Sequence, residues 1–491
     1  MTNKNPVSQY KPDQITKDIL ANFKMISDIP RGSGNEEEIR NFMLKWANTN
    51  NFKAFADEAG NVIIKVPASK GMEKKPIVVL QGHMDMVCEK TPDSDHDFSK
   101  DPIKFVYDGE WLKADKTTLG ADNGIAMAMA MSLATDRNIS HPKLELLFTV
   151  EEETGLTGAN ELKPETLEGK YLINLDSEEE GVIIIGCAGG RDTQIELHLN
   201  YEEVDNDYMP FTLEVSGCTG GHSGENIADG KANAIRVMAR ILQHISYFAD
   251  IRLIGVQAGT AHNAIPRNAE AKFFIPAAAV DKVKNIVSEM HGIIKQEFVL
   301  TEPNLAVSIS PISDLPDRRA MLSYLTRHSI NLLRAMPHGP IAYSKQMHGK
   351  VETSLNLAKT WVADGKLFVY TSQRSSVPSR LNAITERVEA VARLANAHVK
   401  SDKGYPSWAP KTDSKLTKIA EEAYNKLYDK EPTVTVIHAG LECGIIGDKH
   451  SGMEMISIGP DIINPHSPDE ALYLPAISKI YDLVVQIFKM I

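Results

Sequence analysis

The stretch Ile77-Val-Val-Leu-Gln81, followed directly by Gly82-His83-Met84-Asp85, decides the fold class of this 491-residue chain. A short apolar run that ends at a glycine is typical of a buried parallel strand. Leu144–Val150 and Tyr171–Leu175 have the same character. Between these strands a helix that begins at Asp122 is apolar on every face, which predicts a buried helix with Asp122 as its N-cap. Strand, helix and strand in this order predict a doubly wound α/β domain with a mostly parallel sheet.

The pattern changes after residue 187. Thr193–Leu199 and Phe211–Val215 alternate apolar and polar residues, as half-buried antiparallel strands do. Predicted helices follow, and the α/β pattern returns only beyond a polar, proline-containing segment at residues 400–410, which is typical of a linker. We therefore expect one α/β domain in two segments, 1–187 and 401–491, with an α+β domain, 188–400, inserted between them.

Composition and charge exclude several classes of protein. Lys and Arg number 53 and Asp and Glu number 65, so the net charge is −12, and the absence of a long basic run argues against a nucleic-acid partner. No apolar stretch approaches the roughly 20 residues of a membrane span, and no signal peptide is visible. The four cysteines are far apart and form no CxxC pair, which fits a reducing compartment. These features predict a cytoplasmic protein without a membrane partner.

Polar side chains follow several of the predicted strands. His83 and Asp85 lie two residues apart at a strand's carboxyl end, where open α/β sheets bind ligands, and Asp85 is placed to orient the imidazole. Glu151–Glu153 and Asp176 end the next two strands, and His466 lies in a loop after another. Each alone has an ordinary explanation, namely a polar loop or a solvated acidic turn, just as Asp122 alone is a helix cap.

Together these residues point to metal binding. Their strands are expected to end at the same edge of the sheet, which would gather two histidines and several carboxylates in one place. Mixed imidazole and carboxylate ligands suit zinc or a similar transition ion better than calcium. One aspartate shared between two ions would make a two-metal site that activates a water molecule.

The motifs resemble those of the aminoacyl-histidine dipeptidases, which are also called Xaa-His or cytosol non-specific dipeptidases and are carnosinase-type two-zinc peptidases. The resemblance covers nearly the whole chain. It rests on the following motifs: Gln-Gly-His83-Met-Asp85, Leu-Gly-Ala-Asp122-Asn-Gly, Glu152-Glu153-Thr-Gly, Asn-Leu-Asp176-Ser-Glu-Glu-Glu-Gly, Asn-Pro-His466, Gly-Cys-Ala-Gly-Gly at 186–190 and His-Ala-Gly-Leu-Glu at 438–442.

The resemblance implies a role for each residue of the α/β domain's motifs. It makes Asp122 the ligand that bridges two zinc ions, with cobalt or manganese as possible substitutes, and Asp85 the carboxylate that orients a histidine ligand. Glu152 would be the general base that acts with a hydroxide bridging the ions. The remaining ligands would be His83 and Asp176 at one ion and Glu153 and His466 at the other.

The resemblance also assigns residues of the inserted domain, which it identifies as a lid. His222 in Gly-Gly-His-Ser-Gly would stabilise the oxyanion of the tetrahedral intermediate, although the motif alone reads as a tight turn. Arg374 would grip the substrate carboxylate, a task that suits a planar guanidinium. Asn263 would be a further substrate contact. No role follows for His262, His438 or Glu442, although each lies in a segment that resembles the family's.

The expected function is that of a cytoplasmic metallodipeptidase which hydrolyses Xaa-His and other dipeptides and forms a homodimer through the lid. Two alternatives remain open from sequence. One is an N-acyl amino acid amidohydrolase that uses the same two-metal site. The other is a catalytically silent binding protein on this fold, against which the spare base Glu152 argues.

Overall fold

The computed structural model describes residues 11–491, which divide into two compact units. Unit 1 comprises residues 11–187, Trp408–Val436 and Leu441–Ile491, and unit 2 comprises Ala188–Ser407 and Ile437–Gly440. The chain thus leaves unit 1 after Cys187 and returns at Trp408, inside the segment predicted as a linker. The division of the chain into a catalytic domain and a lid domain stays a prediction.

Unit 1 is built on an eight-stranded sheet. In spatial order its strands are Lys53–Ala56, Val62–Val66, Leu144–Thr149, Val78–His83, Tyr171–Asn174, Glu454–Ser457, Val182–Cys187 and Thr433–Ile437. The four strands from Leu144–Thr149 to Glu454–Ser457 are parallel, while the pairings with Val62–Val66 and Val182–Cys187 on either side of them are antiparallel. The predicted α/β fold with a mostly parallel central sheet is confirmed, with antiparallel strands added at its edges.

The sheet explains why the polar motifs meet. Residues 83, 149, 174 and 457 end the four parallel strands, so the segments that carry His83, Glu152, Asp176 and His466 all leave from the same edge. A second, four-stranded sheet contains Ile462–Ile463, Ala471–Tyr473, Trp111–Ala114 and Phe105–Asp108. It pairs the segment after His466 with the segment that precedes Asp122.

The helices of unit 1 are Gln14–Ser27, Glu37–Thr49, Ala121–Thr135, Glu152–Gly155, Thr157–Glu161, Lys415–Tyr428, Glu442–Lys449 and Leu474–Met490. Every residue of the third helix from Asn123 to Ala134 is buried, as its apolar composition predicts. The prediction that Asp122 caps this helix is wrong. Gly120 is the N-cap, Asp122 has the non-helical angles φ −78° and ψ 106°, and its carboxylate oxygens lie 3.0 Å from nitrogens of His83 and His466.

Unit 2 is an α+β structure whose main sheet is antiparallel throughout. The strand order is Ala306–Pro311, Tyr208–Ser216, Ala269–Pro276, Arg252–Ala258, Val351–Ala363, Lys366–Ser375, Gly189–His198 and His398–Ser401, with Gly339–Tyr343 also paired to Val351–Ala363. Shorter pairs join Tyr201–Glu203 to Arg319–Met321 and Gly221–His222 to Ala264–Ile265. The helices are Ala234–Ser246, Val280–Glu297 (after the 3₁₀ turn Ala277–Ala279), Ser323–Ala335 and Pro378–Leu394.

The apolar faces of these unit 2 helices and of the sheet form one large core, which includes Phe211, Ile241, Phe273 and Leu355. The predicted inserted α+β region is therefore present. No helix among residues 11–491 combines the length and the apolar character that a membrane crossing requires.

Candidate metal centre

His83 is the last residue of its strand and has carboxylates on both sides of its ring. The Nδ1 atom lies 3.2 Å from Oδ1 of Asp85, and Nε2 lies 3.0 Å from Oδ1 of Asp122 and 3.5 Å from Oδ1 of Asp176. The imidazole is 1% exposed, so these carboxylates decide its protonation. A hydrogen bond from Nδ1–H to Asp85 would leave the Nε2 lone pair for a metal ion, which is the usual arrangement of a histidine ligand.

Asp122 stands between the two histidines of the site. Its Oδ1 faces His83, while its Oδ2 lies 3.0 Å from Nε2 of His466. The same Nε2 atom is 3.1 Å from Oε1 of Glu153. The two oxygens of one carboxylate thus serve two different sets of side chains, which is the geometry that a bridging ligand needs.

Three groups of side chains are of metal-binding size, and two of them share Asp122. His83, Asp122 and Asp176 make one group, Asp122, Glu153 and His466 make the other, and within each group the ligand atoms lie within 4.8 Å of one another. The structure therefore brings together all five residues that the sequence predicts as ligands. Asp176 Oδ1 and Glu153 Oε1 are buried beside the imidazoles of His83 (3.5 Å) and His466 (3.1 Å), and burying a carboxylate oxygen is costly unless a cation faces it. This donor set fits two ions of the zinc class.

The pKa values of the site reflect this crowding of charge. Burial raises the pKa of Asp176 to about 6. Hydrogen bonds with Asp122 and Glu153 raise the pKa of His466 to about 11. Asp122 is buried as well, yet its hydrogen bonds with His466 and His83 lower its pKa.

Asp85 does more than face His83. It is fully buried, and its two oxygens accept hydrogen bonds from the backbone N–H groups of Glu152 (3.1 Å) and Glu153 (3.2 Å). It also accepts one from the Ser33 hydroxyl at 2.7 Å. Burial alone would raise the pKa of Asp85, but its bonds with His83 and these donors lower it to about 2. One carboxylate therefore orients the His83 ring and fixes the first turn of the segment that carries Glu152 and Glu153.

Glu152 lies within the same cluster but belongs to neither ligand group around Asp122. Its carboxylate, His83 and Glu153 have atoms within 4.8 Å of one another. Burial raises the pKa of Glu152 well above its usual range; the charge of His83 opposes this rise, and the neighbouring carboxylates Asp176 and Glu153 add to it. A carboxyl group with a raised pKa beside a metal site is suited to carrying a proton.

Glu442, which sequence reasoning leaves unassigned, is fully buried in unit 1. Its Oε2 accepts hydrogen bonds from Gln81 Nε2 and Thr149 Oγ1, both at 2.6 Å, and Gln81 in turn accepts one from Asn174. Burial raises the pKa of Glu442 to about 8. Gln81, Thr149 and Asn174 lie at the ends of three adjacent strands, so this polar layer ties together the strands that carry the metal centre.

The predicted residues of unit 2 lie close to one another. Arg374 is 7% exposed, and its guanidinium donates to Tyr405 Oη (3.2 Å) and Ser223 Oγ (3.4 Å). No carboxylate in the described part of the chain forms an ion pair with Arg374. His438, whose Nε2 lies 2.7 Å from Ser354 Oγ, is half-buried; burial and then the charges of Arg374 and His222 lower its pKa to about 3.

His222, Asn263 and His262 also have defined places in unit 2. His222 is paired with Ala264 in a two-residue ladder, and its Nδ1 accepts the Glu225 N–H at 3.3 Å, which leaves Nε2 as the protonated nitrogen. Asn263 accepts the Ser223 N–H with its backbone carbonyl. His262 pairs instead with Asp192 at 2.8 Å. The sequence did not indicate Tyr405 or Ser354, because neither lies in a motif with metal or catalytic spacing. Ser223 follows His222 in its motif, but the motif gave it no role.

Two further residues of unit 1 were missed. Glu470 is 2% exposed and accepts hydrogen bonds from the backbone that precedes the Asp122 carboxylate, and Arg31 is 1% exposed and donates to carbonyls of the same region. The only sequence feature that could have pointed to Glu470 is that it is an acidic residue four positions after His466. Arg31 stands in a sequence that offers no sign of its burial.

Comparison with known proteins adds independent information. Residues 79–490 match the model of peptidase family M20/M25/M40. The chain is 40% identical over 467 residues to the cytosol non-specific dipeptidase of Escherichia coli, covering 95% of this chain and 96% of that protein. The aminoacylhistidine dipeptidase of Vibrio alginolyticus superimposes with a TM-score of 0.88 at 35% identity over 98% of each chain. A Staphylococcus aureus tripeptidase, at 15% identity and a TM-score of 0.57 over 97% of this chain and 98% of its own, shares the fold.

Proposed function

The chain belongs to peptidase family M20/M25/M40, and from this premise we propose that it is a dipeptidase that uses two zinc-class ions held around Asp122. The resemblance to the aminoacyl-histidine and cytosol non-specific dipeptidases, first drawn from motifs, is confirmed by both full-length relatives. That the chain is a metallopeptidase of the dipeptidase kind follows from the same matches. What we propose beyond this is the identity of the metal, the role of each residue of the site and the substrates.

One observation carries the proposal. The two groups of ligand atoms share Asp122, whose oxygens lie 3.0 Å from His83 Nε2 and 3.0 Å from His466 Nε2. Each group then offers one imidazole, one carboxylate of its own and the shared carboxylate. Two divalent ions bound there would polarise the scissile carbonyl and lower the pKa of a water molecule.

The residues around the ions divide the remaining work. Glu152 receives the proton from the attacking water and delivers it to the leaving amine, as a general base that then acts as an acid. Asp85 holds the Nδ1 side of His83, so that Nε2 faces the metal, and it also fixes the backbone of Glu152 and Glu153.

Unit 2 supplies the groups proposed to hold substrate. His222, protonated on Nε2, donates to the oxyanion of the tetrahedral intermediate. Arg374 has Tyr405 and Ser223 as neutral partners and forms no ion pair within residues 11–491, so its charge is available for the terminal carboxylate of a dipeptide. Asn263 is proposed as a weaker contact with the substrate.

Two other functions use the same geometry. An N-acyl amino acid amidohydrolase would cleave an amide with the same ions and the same base. A silent binding protein would keep the ligands but would have no use for Glu152. The names of the two full-length relatives favour the dipeptidase.

The deciding experiment joins metal analysis to a substrate panel. Protein loaded with zinc should contain two ions per chain and should hydrolyse simple dipeptides and β-alanyl-histidine, while N-acetyl amino acids should be poor substrates. A preference for N-acetyl amino acids would establish the amidohydrolase, and metal binding without hydrolysis of any substrate would establish the binding protein. One ion per chain at saturating zinc would contradict the shared role of Asp122.

The Arg374→Ala variant tests the proposed contact between Arg374 and the terminal carboxylate of the dipeptide. Loss of a desolvated charge pair costs about 2 kcal/mol or more, so kcat/KM for a dipeptide should fall about 30-fold or more. The same dipeptide as its C-terminal amide has no carboxylate to lose, and its kcat/KM should hardly change. His222→Ala should instead lower kcat for both substrates, because the oxyanion forms whichever C-terminus is present.

Arg393→Ala serves as the matched control, because Arg393 is an exposed arginine on a unit 2 helix with Glu389 as its partner. It should leave both substrates unaffected. An equal loss for the acid and the amide in Arg374→Ala would mean that Arg374 is structural and that another group holds the carboxylate.

Location and assembly complete the proposal. The Escherichia coli relative is named as a cytosolic enzyme, and we place this chain in the cytoplasm as well. We also propose a homodimer formed through unit 2, on the basis of the family resemblance, with small dipeptides as the partners of the site. Sedimentation of the purified chain measures the oligomeric state directly.

A further inference from the structure

The backbone at residues 119–122 is held by the side chain of Glu470. Oε2 of Glu470 accepts the N–H groups of Leu119 (2.8 Å) and Gly120 (3.0 Å), and Oε1 accepts those of Ala121 (2.8 Å) and Asp122 (3.3 Å). Four consecutive amides therefore converge on one carboxylate. Such a concave array of N–H groups is a strong binding site for an anion, here filled by the chain itself.

This arrangement determines where the Asp122 side chain points. The N–H groups at the start of a helix normally need a capping side chain, and here Glu470 supplies the acceptor from 348 residues away in sequence. Asp122 is thereby released from the capping role that its position suggests. Its carboxylate faces His83 and His466 instead.

Arg31 holds the opposite side of the same backbone. Its buried guanidinium donates to the carbonyls of Met84 (2.9 Å) and Asp85 (2.8 Å) and also to the carbonyl of Gly120. Gly120 has a left-handed φ of +67°, and a Cβ there would lie 2.6 Å from Arg31 Nη2, so the approach requires glycine. Arg31 thus ties the segment after His83 to the segment before Asp122.

Glu470 also belongs to the loop that delivers His466. Its own N–H donates to the Ser467 carbonyl at 3.0 Å, and the Ser467 hydroxyl donates to the Asn464 carbonyl at 2.8 Å. The loop is therefore folded on itself between His466 and Glu470. The short segment 466–470 therefore carries the proposed ligand His466 and also holds the backbone of Asp122, which His466 faces.

We propose that Glu470 is a positioning residue that sets the orientation of Asp122 between the two metal sites and keeps His466 facing Asp122. This proposal rests on the proposed two-metal function. Glu470 acts through the four backbone N–H groups, and Arg31 supports it from the carbonyl side. Loss of the Glu470 carboxylate should therefore weaken metal binding rather than substrate binding.

The test is the variant Glu470→Gln, assayed first for metal affinity. The amide keeps the size of the side chain but turns an NH₂ group toward two backbone donors, so two of the four hydrogen bonds are lost. Residues that orient metal ligands typically change metal affinity about 10- to 100-fold, and we expect a loss of that size. Zinc affinity is measured by competition with a chromophoric chelator, without reference to activity.

Asp469→Asn is the matched control. Asp469 is exposed and is the neighbour of Glu470, so its substitution makes the same change of charge without touching the 119–122 backbone. It should bind zinc as the unchanged protein does. At saturating zinc, Glu470→Gln should also show a lower kcat with an unchanged KM for dipeptides, because Glu470 is buried and acts through Asp122.

Urea unfolding of the metal-free proteins separates positioning from general stability. If Glu470→Gln unfolds more easily but binds zinc as tightly as the unchanged protein, the proposal is overturned. If Glu470→Gln does not fold, Glu470→Asp, which retains the charge on a shorter stem, takes its place with the same expected weakening of zinc affinity, and unaltered affinity there overturns the proposal equally. Failure of the unchanged protein to bind zinc would overturn the two-metal function itself.

Discussion

Glu152→Gln is expected to lower kcat by about 10²- to 10⁴-fold while two ions stay bound, which is the usual contribution of a general base. The substitution removes a proton acceptor and keeps the shape of the side chain. Glu152 is not a member of either ligand group around Asp122. The metal content and the fold should therefore be unchanged, and only turnover should suffer.

The adjacent residues provide controls of the same residue type. Glu151→Gln removes the same charge one position earlier, outside all of the ligand groups found among the described residues, and should retain full activity. Glu153→Gln removes a proposed ligand and should cost an ion as well as activity. Steady-state kinetics and elemental analysis of the three variants separate the roles. Wild-type turnover by metal-replete Glu152→Gln would refute the assignment of the base.

Asp122→Ala is expected to abolish binding of both ions at stoichiometric zinc. The reason is that Asp122 is the one residue common to the two ligand groups, with one oxygen facing each histidine. Metal ions contribute several kcal/mol to stabilising the transition state, so activity should fall at least about 10³-fold. Elemental analysis after gel filtration measures the bound zinc.

Single-site variants complete this comparison. His466→Ala and Asp176→Ala each remove a ligand from one group only, so each should retain one ion of the two. Retention of one tightly bound ion by Asp122→Ala, with the same affinity as in His466→Ala, would show that Asp122 belongs to a single site. In that case residues other than Asp122 would have to hold the second ion.

The family and the main chemical residues of the site could be recognised from local sequence. A run such as residues 77–81 can be buried on both faces only in a covered parallel sheet, and parallel strands end at one edge. Polar residues placed directly after such strands therefore meet, which is why the sequence predicts that His83, Asp176 and the run Glu151–Glu153 lie at one site; the choice of Glu152 within that run came from the family resemblance. The distance along the chain does not matter here, because the sheet supplies the proximity.

Other features depend on contacts that no local pattern encodes. The sequence around Asp122 favours a helix cap. In the structure Glu470 accepts the N–H groups of Ala121 and Asp122, and the Asp122 carboxylate faces both histidines. In unit 2, the partners of Arg374 were equally hidden, since Ser223 and Tyr405 lie 151 and 31 residues away. The sequence determined which side chains could bind metal, because strand ends are set by local hydrophobicity. The tertiary structure decided how those side chains are oriented, because orientation depends on buried hydrogen bonds between segments that are distant along the chain.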